Sequence, residues 1–478
     1  MSSGKKEDAA QVYNTANINQ GPVTPPGFEA IYSACRQLYP DQPNPLQVTA
    51  LVKYWLGGPD PLDYISMYSN PGCPEKNVPP HWHYVSFGLS DLHGDGRVHD
   101  SAYRSGSVDS PSGFGFEMTF RLRKEQETAP PTWPAALMQA LARYVFQSEN
   151  TLCEGDHVPW HSSLDGSESR MQHMLMTADP QLKTITTAFG VVNFVQVVGV
   201  CEEELKAAQH WNGSGIIDLM KTVDNAGGAW LITDMRRGEN VFEIDPQLQE
   251  RVDQGISLEG SNLSGVSSQC SWIELSKVSN DNKENYDNLR RGSSTSDTTD
   301  APNITDLESE QIKNALTIGL GYSKPVLPPI PSGDSSSRKA SFDSNLSGDA
   351  PTELLRTRSI DAVHLKFSLE AGKLLPLALL GRLKHGRHFT FKSILNDVAI
   401  TFVSQSVIGS IADASHPYAA HGPWLQVLLT DDFIDHMLRD IQILDEIDVI
   451  DLPKVFQWCE HHMTITICPD TVESVVCS

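Results

Sequence analysis

Phe114-Gly115-Phe116-Glu117-Met118-Thr119-Phe120-Arg121-Leu122-Arg123 alternates apolar and polar side chains from end to end. In an extended chain successive side chains point to opposite faces, so this run reads as a β-strand. Phe114, Phe116, Met118, Phe120 and Leu122 share one face; Glu117, Thr119, Arg121 and Arg123 share the other. Such an apolar face needs a cover, and Pro134–Phe146, with apolar residues at helical spacing after Trp133, is expected to provide it. His83-Tyr84-Val85-Ser86-Phe87-Gly88-Leu89 also alternates, whereas Gly190–Val200 is β-branched and almost wholly apolar, as in a central strand. Helices are expected over Gly27–Tyr39, ended by Pro40, and over Leu46–Leu56, stopped by Gly57-Gly58-Pro59. Two more are expected over Cys201–Gln209 and Gly213–Thr222, with a further strand at Trp230-Leu231-Ile232-Thr233-Asp234. Helices interleaved with strands predict an α/β domain over 26–275.

A chain of 478 residues exceeds one compact core, so a second domain is expected. Residues 1–25 are polar and are expected to be a disordered tail. Residues 276–350 read as a disordered Ser/Pro-rich linker. Ser279–Thr299 has almost no core formers, a helical island spans Ile304–Leu320, and Pro325-Val326-Leu327-Pro328-Pro329-Ile330-Pro331 favours polyproline geometry. Strand patterns return at Ala362–Phe367, Phe389–Ile394, Ala399–Val403, Trp424–Leu429 and Met463–Ile467. Thr430–Ile441 reads as a helix with Thr430 as N-cap, acids in its first turn, and Phe433, Ile434, Met437, Leu438 and Ile441 as a core stripe. An α+β domain over 351–478 follows.

The net charge of −24 excludes non-specific nucleic-acid binding and favours basic or His-containing partners. Eight dispersed cysteines without a CxxC pair fit reduced thiols. The N-terminus lacks the apolar run of a signal peptide, and no run of about 18 apolar residues is present to span a membrane. A soluble intracellular protein is expected.

Several constellations carry chemistry. Cys153, His157 and His161 stand four residues apart with Asp156 alongside, which on a helix would align metal ligands, but Gly155 and Pro159 interrupt a helix. A Cys–His–Asp hydrolase can be written from Cys153, His161 and Asp156, although no nucleophile signature surrounds Cys153. His81-Trp82-His83 reads as surface histidines beside a buried Trp, and Pro111-Ser112-Gly113-Phe114-Gly115 lacks the third glycine and following helix of a phosphate loop. The acids of 431–451 read as a solvated helix face or a surface for a basic partner. Arg338-Lys339-Ala340-Ser341 suits a basic-directed kinase, and Ser337 has the spacing for a kinase primed by phospho-Ser341. Together they would add about −3 to −4 charges.

Longer runs carry a resemblance. Tyr39-Pro40-Asp41-Gln42-Pro43-Asn44-Pro45-Leu46-Gln47-Val48-Thr49, Tyr144–Asp156, Trp230–Glu239, Asn262-Leu263-Ser264-Gly265-Val266-Ser267 and His416–Trp424 closely resemble the Suppressor of fused family of Hedgehog-pathway negative regulators. The resemblance implies two mixed-sheet domains that form a peptide clamp. Between them, a short Ser-Tyr-Gly-His-Leu segment of a Gli/Ci zinc-finger transcription factor would add a strand to both sheets. It implies that Tyr144 and Asp156 hold the partner's His, that Val266, Ser268 and Leu365 line an apolar pocket, and that Asp361 is an acidic position on the C-terminal side. Ser268 stands where an apolar Ala can occur. The resemblance further implies no catalysis and no cofactor, with the Fused kinase and the kinesin-like Costal scaffold as additional partners. It also implies action in cytoplasm and nucleus, with the transcription factor retained in the cytoplasm.

Overall fold

The strand expected at 114–123 runs through the middle of an eight-stranded sheet in a computed structural model, which describes residues 24–99, 109–275, 357–395, 398–445, 447 and 449–470. The sheet contains β1 (Leu46–Thr49), β2 (Tyr64–Asn70), β3 (His81–Phe87), β4 (Pro111–Arg123), β5 (His157–Pro159), β6 (His173–Ala178), β7 (Ile185–Thr187) and β8 (Gly190–Val200). Their order is β1-β2-β3-β4-β8-β6-β5, with β7 also on β8. Only β4 and β8 pair in parallel; the other neighbours are antiparallel.

Helix α1 (Pro26–Leu38) and helix α2 (Trp133–Ser148) cover opposite faces. Phe116, Met118, Phe120 and Leu122 pack with Leu137, Met138, Leu141 and Val145 of α2. The other face is not solvated, as simple alternation suggests, because Glu117, Thr119 and Arg121 are wholly buried there. Arg121 reaches Asp179 through Nη2 at 2.9 and 3.0 Å, Gln196 through Nε at 3.1 Å and His81 Nε2 at 2.8 Å. His83 Nε2 lies 3.1 Å from Asp179, and its Nδ1 lies 2.8 Å from Tyr39 Oη. His81 and His83 are therefore buried network members rather than surface histidines. Polar pairing lets this face lie under α1, since a buried charge is tolerated only when partnered.

Helices α3 (Glu202–His210), α4 (Gly213–Lys221), α5 (Val241–Ile244) and α6 (Gln247–Glu259) follow β8. Asn212 caps α4, accepting from Gly215 N at 2.6 Å. Two expectations need correction. Leu46–Leu56 is not a helix: Leu46–Thr49 is edge strand β1, and only Tyr54–Leu56 forms a 3-10 turn. Its Leu51 and Leu56 are exposed, so the apolar spacing never closed on a core. Trp230–Asp234 is not a strand either. Gly228–Trp230 is a 3-10 turn and Leu231 has φ 51°. The segment meets β4 through a single parallel bridge, Thr233 to Leu122, and its Trp230 and Leu231 carbonyls each accept from Gln196 Nε2 of β8 at 3.0 Å.

The remaining strands are β9 (Gly265–Ser268), β10 (Cys270–Glu274), β11 (Thr357–Ile360), β12 (Val363–Ser368), β13 (Phe389–Ser393), β14 (Ala399–Ser404), β15 (Tyr418–His421), β16 (Trp424–Leu429), β17 (Lys454–Trp458) and β18 (Met463–Cys468). They form two mixed sheets, β10-β12-β18-β17 and β11-β15-β16-β14-β13-β9. Residues 265–274, which composition groups with the first unit, thus hydrogen-bond with strands beyond residue 356. The two sheets, short turns over 369–385 and helix α7 (Asp431–Ile441) enclose one apolar core containing Leu365, Phe367, Phe391, Phe402, Phe433 and Ile465. Thr430 caps α7 through Phe433 N, as expected. The 1–23 tail, the 276–356 stretch with its polyproline run, Ser337 and Ser341 lie outside the described residues.

Candidate functional site

Among the described residues the first sheet ends on β5, a three-residue strand hydrogen-bonded only to β6. Its position follows from the preceding turns. Helix α2 stops where Glu149 takes φ 59° and its N–H closes on Val145 O. Asn150 Nδ2 then donates to Tyr144 Oη at 2.8 Å, fixing the phenol at the helix end. Tyr144, Leu152 and Val158 share one apolar cluster, against which Trp160 packs. Gly155 adopts φ +89°, and a Cβ there would stand 2.6 Å from Ser214 Oγ. The bonds Gly155 N to Met176 O and Met176 N to Asp156 O, both 2.8 Å, lead the chain into β5.

Asp156 lies half-buried at the start of that strand and takes the Cys153 N–H at 2.7 Å. Burial raises its pKa, and the Cys153 N–H offsets this in part. Among the described residues no salt bridge reaches Asp156. A carboxylate in that setting favours a partner that brings a proton donor or a positive charge.

Strand β9 is likewise an edge strand, paired among the described residues only with β13, in parallel, with Val266 opposite Phe391 and Ser268 opposite Ser393. Val266 packs against the C-terminal core but stays partly open. Ser268 Oγ and Gln269 Oε1 are shielded from solvent without a hydrogen-bond partner. Such a group costs about 1–3 kcal/mol when left unsatisfied. Tyr144 and Asp156 therefore flank one sheet edge, while Val266 and Ser268 lie on another.

Leu365 and Asp361 sit elsewhere. Leu365 is 0% exposed on β12, between Trp272 of β10 and Ile465 of β18. In this state it belongs to the core rather than to an open pocket wall. Asp361 is exposed in the turn before β12 and borders a cavity with Tyr418, Phe433 and His461.

The catalytic and metal alternatives meet a different geometry. His157 lies on β5, His161 has φ 59° and Cys153 is exposed in the turn, so no helix aligns them. The Asp156 carboxylate takes the Cys153 backbone N–H instead of orienting an imidazole, so no triad forms. The group that does converge is His161, His173 and Glu202, with ligand atoms within 4.8 Å of one another. Sequence spacing hid it, because β5–β6 register and the start of α3 bring those residues together. His173 Nδ1 accepts the N–H groups of Trp160 at 3.1 Å and His161 at 3.4 Å. The ring proton of neutral His173 therefore sits on Nε2, 2.7 Å from Glu202 Oε2, although off a good hydrogen-bond line. A metal at Nε2 would need that proton removed while Nδ1 still accepts. The donor set does not fit a metal ion.

Comparison with known proteins decides the family. Residues 58–238 match the family described as "Suppressor of fused protein (SUFU)", and residues 250–467 match "Suppressor of Fused Gli/Ci N terminal binding domain". The chain belongs to the Suppressor of fused family. It is 58% identical over 457 residues to the Suppressor of fused homologs of Mus musculus and Homo sapiens, spanning 93% of this chain and 92% of each relative. The crystal structure of Drosophila Suppressor of Fused is similar over 94% of this chain and 98% of that one, with TM-score 0.67 and 40% identity. A chain of a Sufu–Fu complex structure is 52% identical over 48% of this chain and 98% of its own, with TM-score 0.46. Suppressor of fused proteins are non-enzymatic regulators, so the hydrolase reading is set aside. Among the described residues no helix is long and apolar enough to cross a membrane.

Proposed function

We propose that the chain is a stoichiometric clamp that restrains Gli/Ci transcription factors. It takes a short His-containing segment as an added strand on the β5 and β9 edges. The observation that carries this reading is that two sheets end on short, singly paired strands bearing Asp156 beside one and Ser268 on the other. Free strand edges offer backbone hydrogen bonds, and alternate side chains then find their own pockets. The segment's His meets Asp156 and Tyr144; its apolar neighbour meets Val266. Leu365 contributes through the core behind β9, and Asp361 stands apart from both edges. Retention in the cytoplasm, restraint in the nucleus, and association with the Fused kinase and a Costal-type scaffold follow from family membership as further parts of the proposal. Phosphorylation at Ser341, read from the preceding Arg338-Lys339 pair, and at Ser337, read from its spacing to Ser341, completes the proposal.

Hydrogen–deuterium exchange with and without a Ser-Tyr-Gly-His-Leu peptide tests the two-edge arrangement. Protection at both 157–159 and 265–268 is expected. Protection confined to one edge, or to neither, contradicts it.

A further inference from the structure

A cavity of about 440 Å³ opens between the β11–β12 turn, the loop entering β15, the start of α7 and the β17–β18 turn. Its size lies within the ~300–1,000 Å³ of small-ligand sites. It borders Ile360 of β11, Tyr418 of β15 and Leu428 of β16, the half of the third sheet away from β9. Three strand spacings of ~4.8 Å, about 14 Å, separate β9 from β16, the lining strand nearest to it, so a peptide strand seated on β9 does not fill it.

The walls are built rather than incidental. The His461 ring stacks on Phe433 with centroids 3.6 Å apart and planes at 13°. Tyr418 Oη donates to the His461 carbonyl, and His462 completes the turn at φ 52°. Asp361 and Glu460, both exposed, place carboxylates among the lining residues, and no Lys or Arg is among them. Burial lowers the His461 pKa, which favours an uncharged ring beside Glu460. Arg358 on the adjoining β11 is already paired with Glu274.

We propose that this cavity receives an arginine side chain from an extended basic segment of a partner protein. A planar guanidinium can stack on an aromatic ring while its donors reach carboxylates, which matches the partly exposed His461 ring, backed by Phe433, beside Asp361 and Glu460. Among the described residues β11 is the sheet's edge, with Thr357, Arg358 and Ser359 exposed, so the backbone of such a segment has a ladder to join. The net charge of −24 draws basic segments toward the surface. The site is independent of the β5–β9 clamp.

Fluorescence polarisation on the full chain, with a labelled Ala-Thr-Arg-Thr-Ala peptide and its citrulline analogue, tests this. Citrulline keeps the shape and removes the charge, and about tenfold weaker binding is expected. Glu460→Gln and Asp361→Asn should each weaken the arginine peptide several-fold. Asp156→Arg should leave it unchanged, which separates this site from the clamp. Absence of binding at millimolar peptide, equal binding of both peptides, or indifference to both carboxylate variants would overturn the proposal.

Discussion

Arg121 Nη2 lies 2.9 and 3.0 Å from the two carboxylate oxygens of Asp179, and neither side chain reaches solvent. Burial opposes ionisation of Asp179, yet Arg121 and His83 outweigh it and hold the pKa well below the carboxylate range. The pair fixes β4 to the chain after β6 beneath α1. Asp179→Ala leaves Arg121 charged and stranded, so a loss of about 3–5 kcal/mol is expected in urea unfolding. A loss under 1 kcal/mol would mean water reaches the network.

Stability is also expected to fall on mild acidification. Burial, then Arg121, lowers His83 to about 4 and His81 to about 3 from 6.5. Between about pH 6.5 and 4 the unfolded chain binds more protons than the native one, so stability decreases as pH drops. His83 alone accounts for on the order of 3 kcal/mol once pH is below 4. Urea midpoints measured from pH 7 to 5 should decline steadily, and His83→Gln should flatten the slope.

Gly155→Ala should disturb the β5 edge. The residue needs φ +89°, and the added methyl meets Ser214 Oγ. A stability cost of about 1–2 kcal/mol is expected, with weaker peptide binding, because the turn that places Asp156 must shift. Unchanged melting and binding would show that the turn tolerates a side chain.

Zinc should leave the protein unaffected. The His173 tautomer set by the Trp160 and His161 N–H groups presents a proton, not a lone pair, to the His161–Glu202 opening. Melting with and without equimolar zinc should coincide, and a clear upward shift would contradict the tautomer assignment.

Leu365→Ala should act as a core deletion, costing about 2–5 kcal/mol. Its effect on peptide binding should follow the loss of folded protein, as measured by parallel circular dichroism and titration. Normal stability with lost binding would move Leu365 from the core to the pocket wall.

Much of the architecture was legible from periodicity. Phe114–Arg123, Gly190–Val200 and Thr430–Ile441 have patterns long enough for local spacing to decide the element. Leu46–Leu56 misled because its apolar residues match a helix but stay exposed around an edge strand. Trp230–Asp234 misled because the chain turns at Leu231, with φ 51°, and meets β4 through one bridge at Thr233 instead of a ladder. The buried Arg121–Asp179 pair joins residues 58 apart in sequence, and the His161–His173–Glu202 group is set by strand register. Neither leaves a local sequence signal. Asp156 and Tyr144 were reachable through the family motif, whereas the edge positions of β5 and β9 required the sheet order.

The most direct test of the clamp is titration of a fluorescent Ser-Tyr-Gly-His-Leu peptide against wild type and Asp156→Arg, with circular dichroism on both. The account predicts saturable binding to wild type and at least about 30-fold weaker binding to a folded Asp156→Arg. Equal binding to both, with their spectra superimposable, would contradict it.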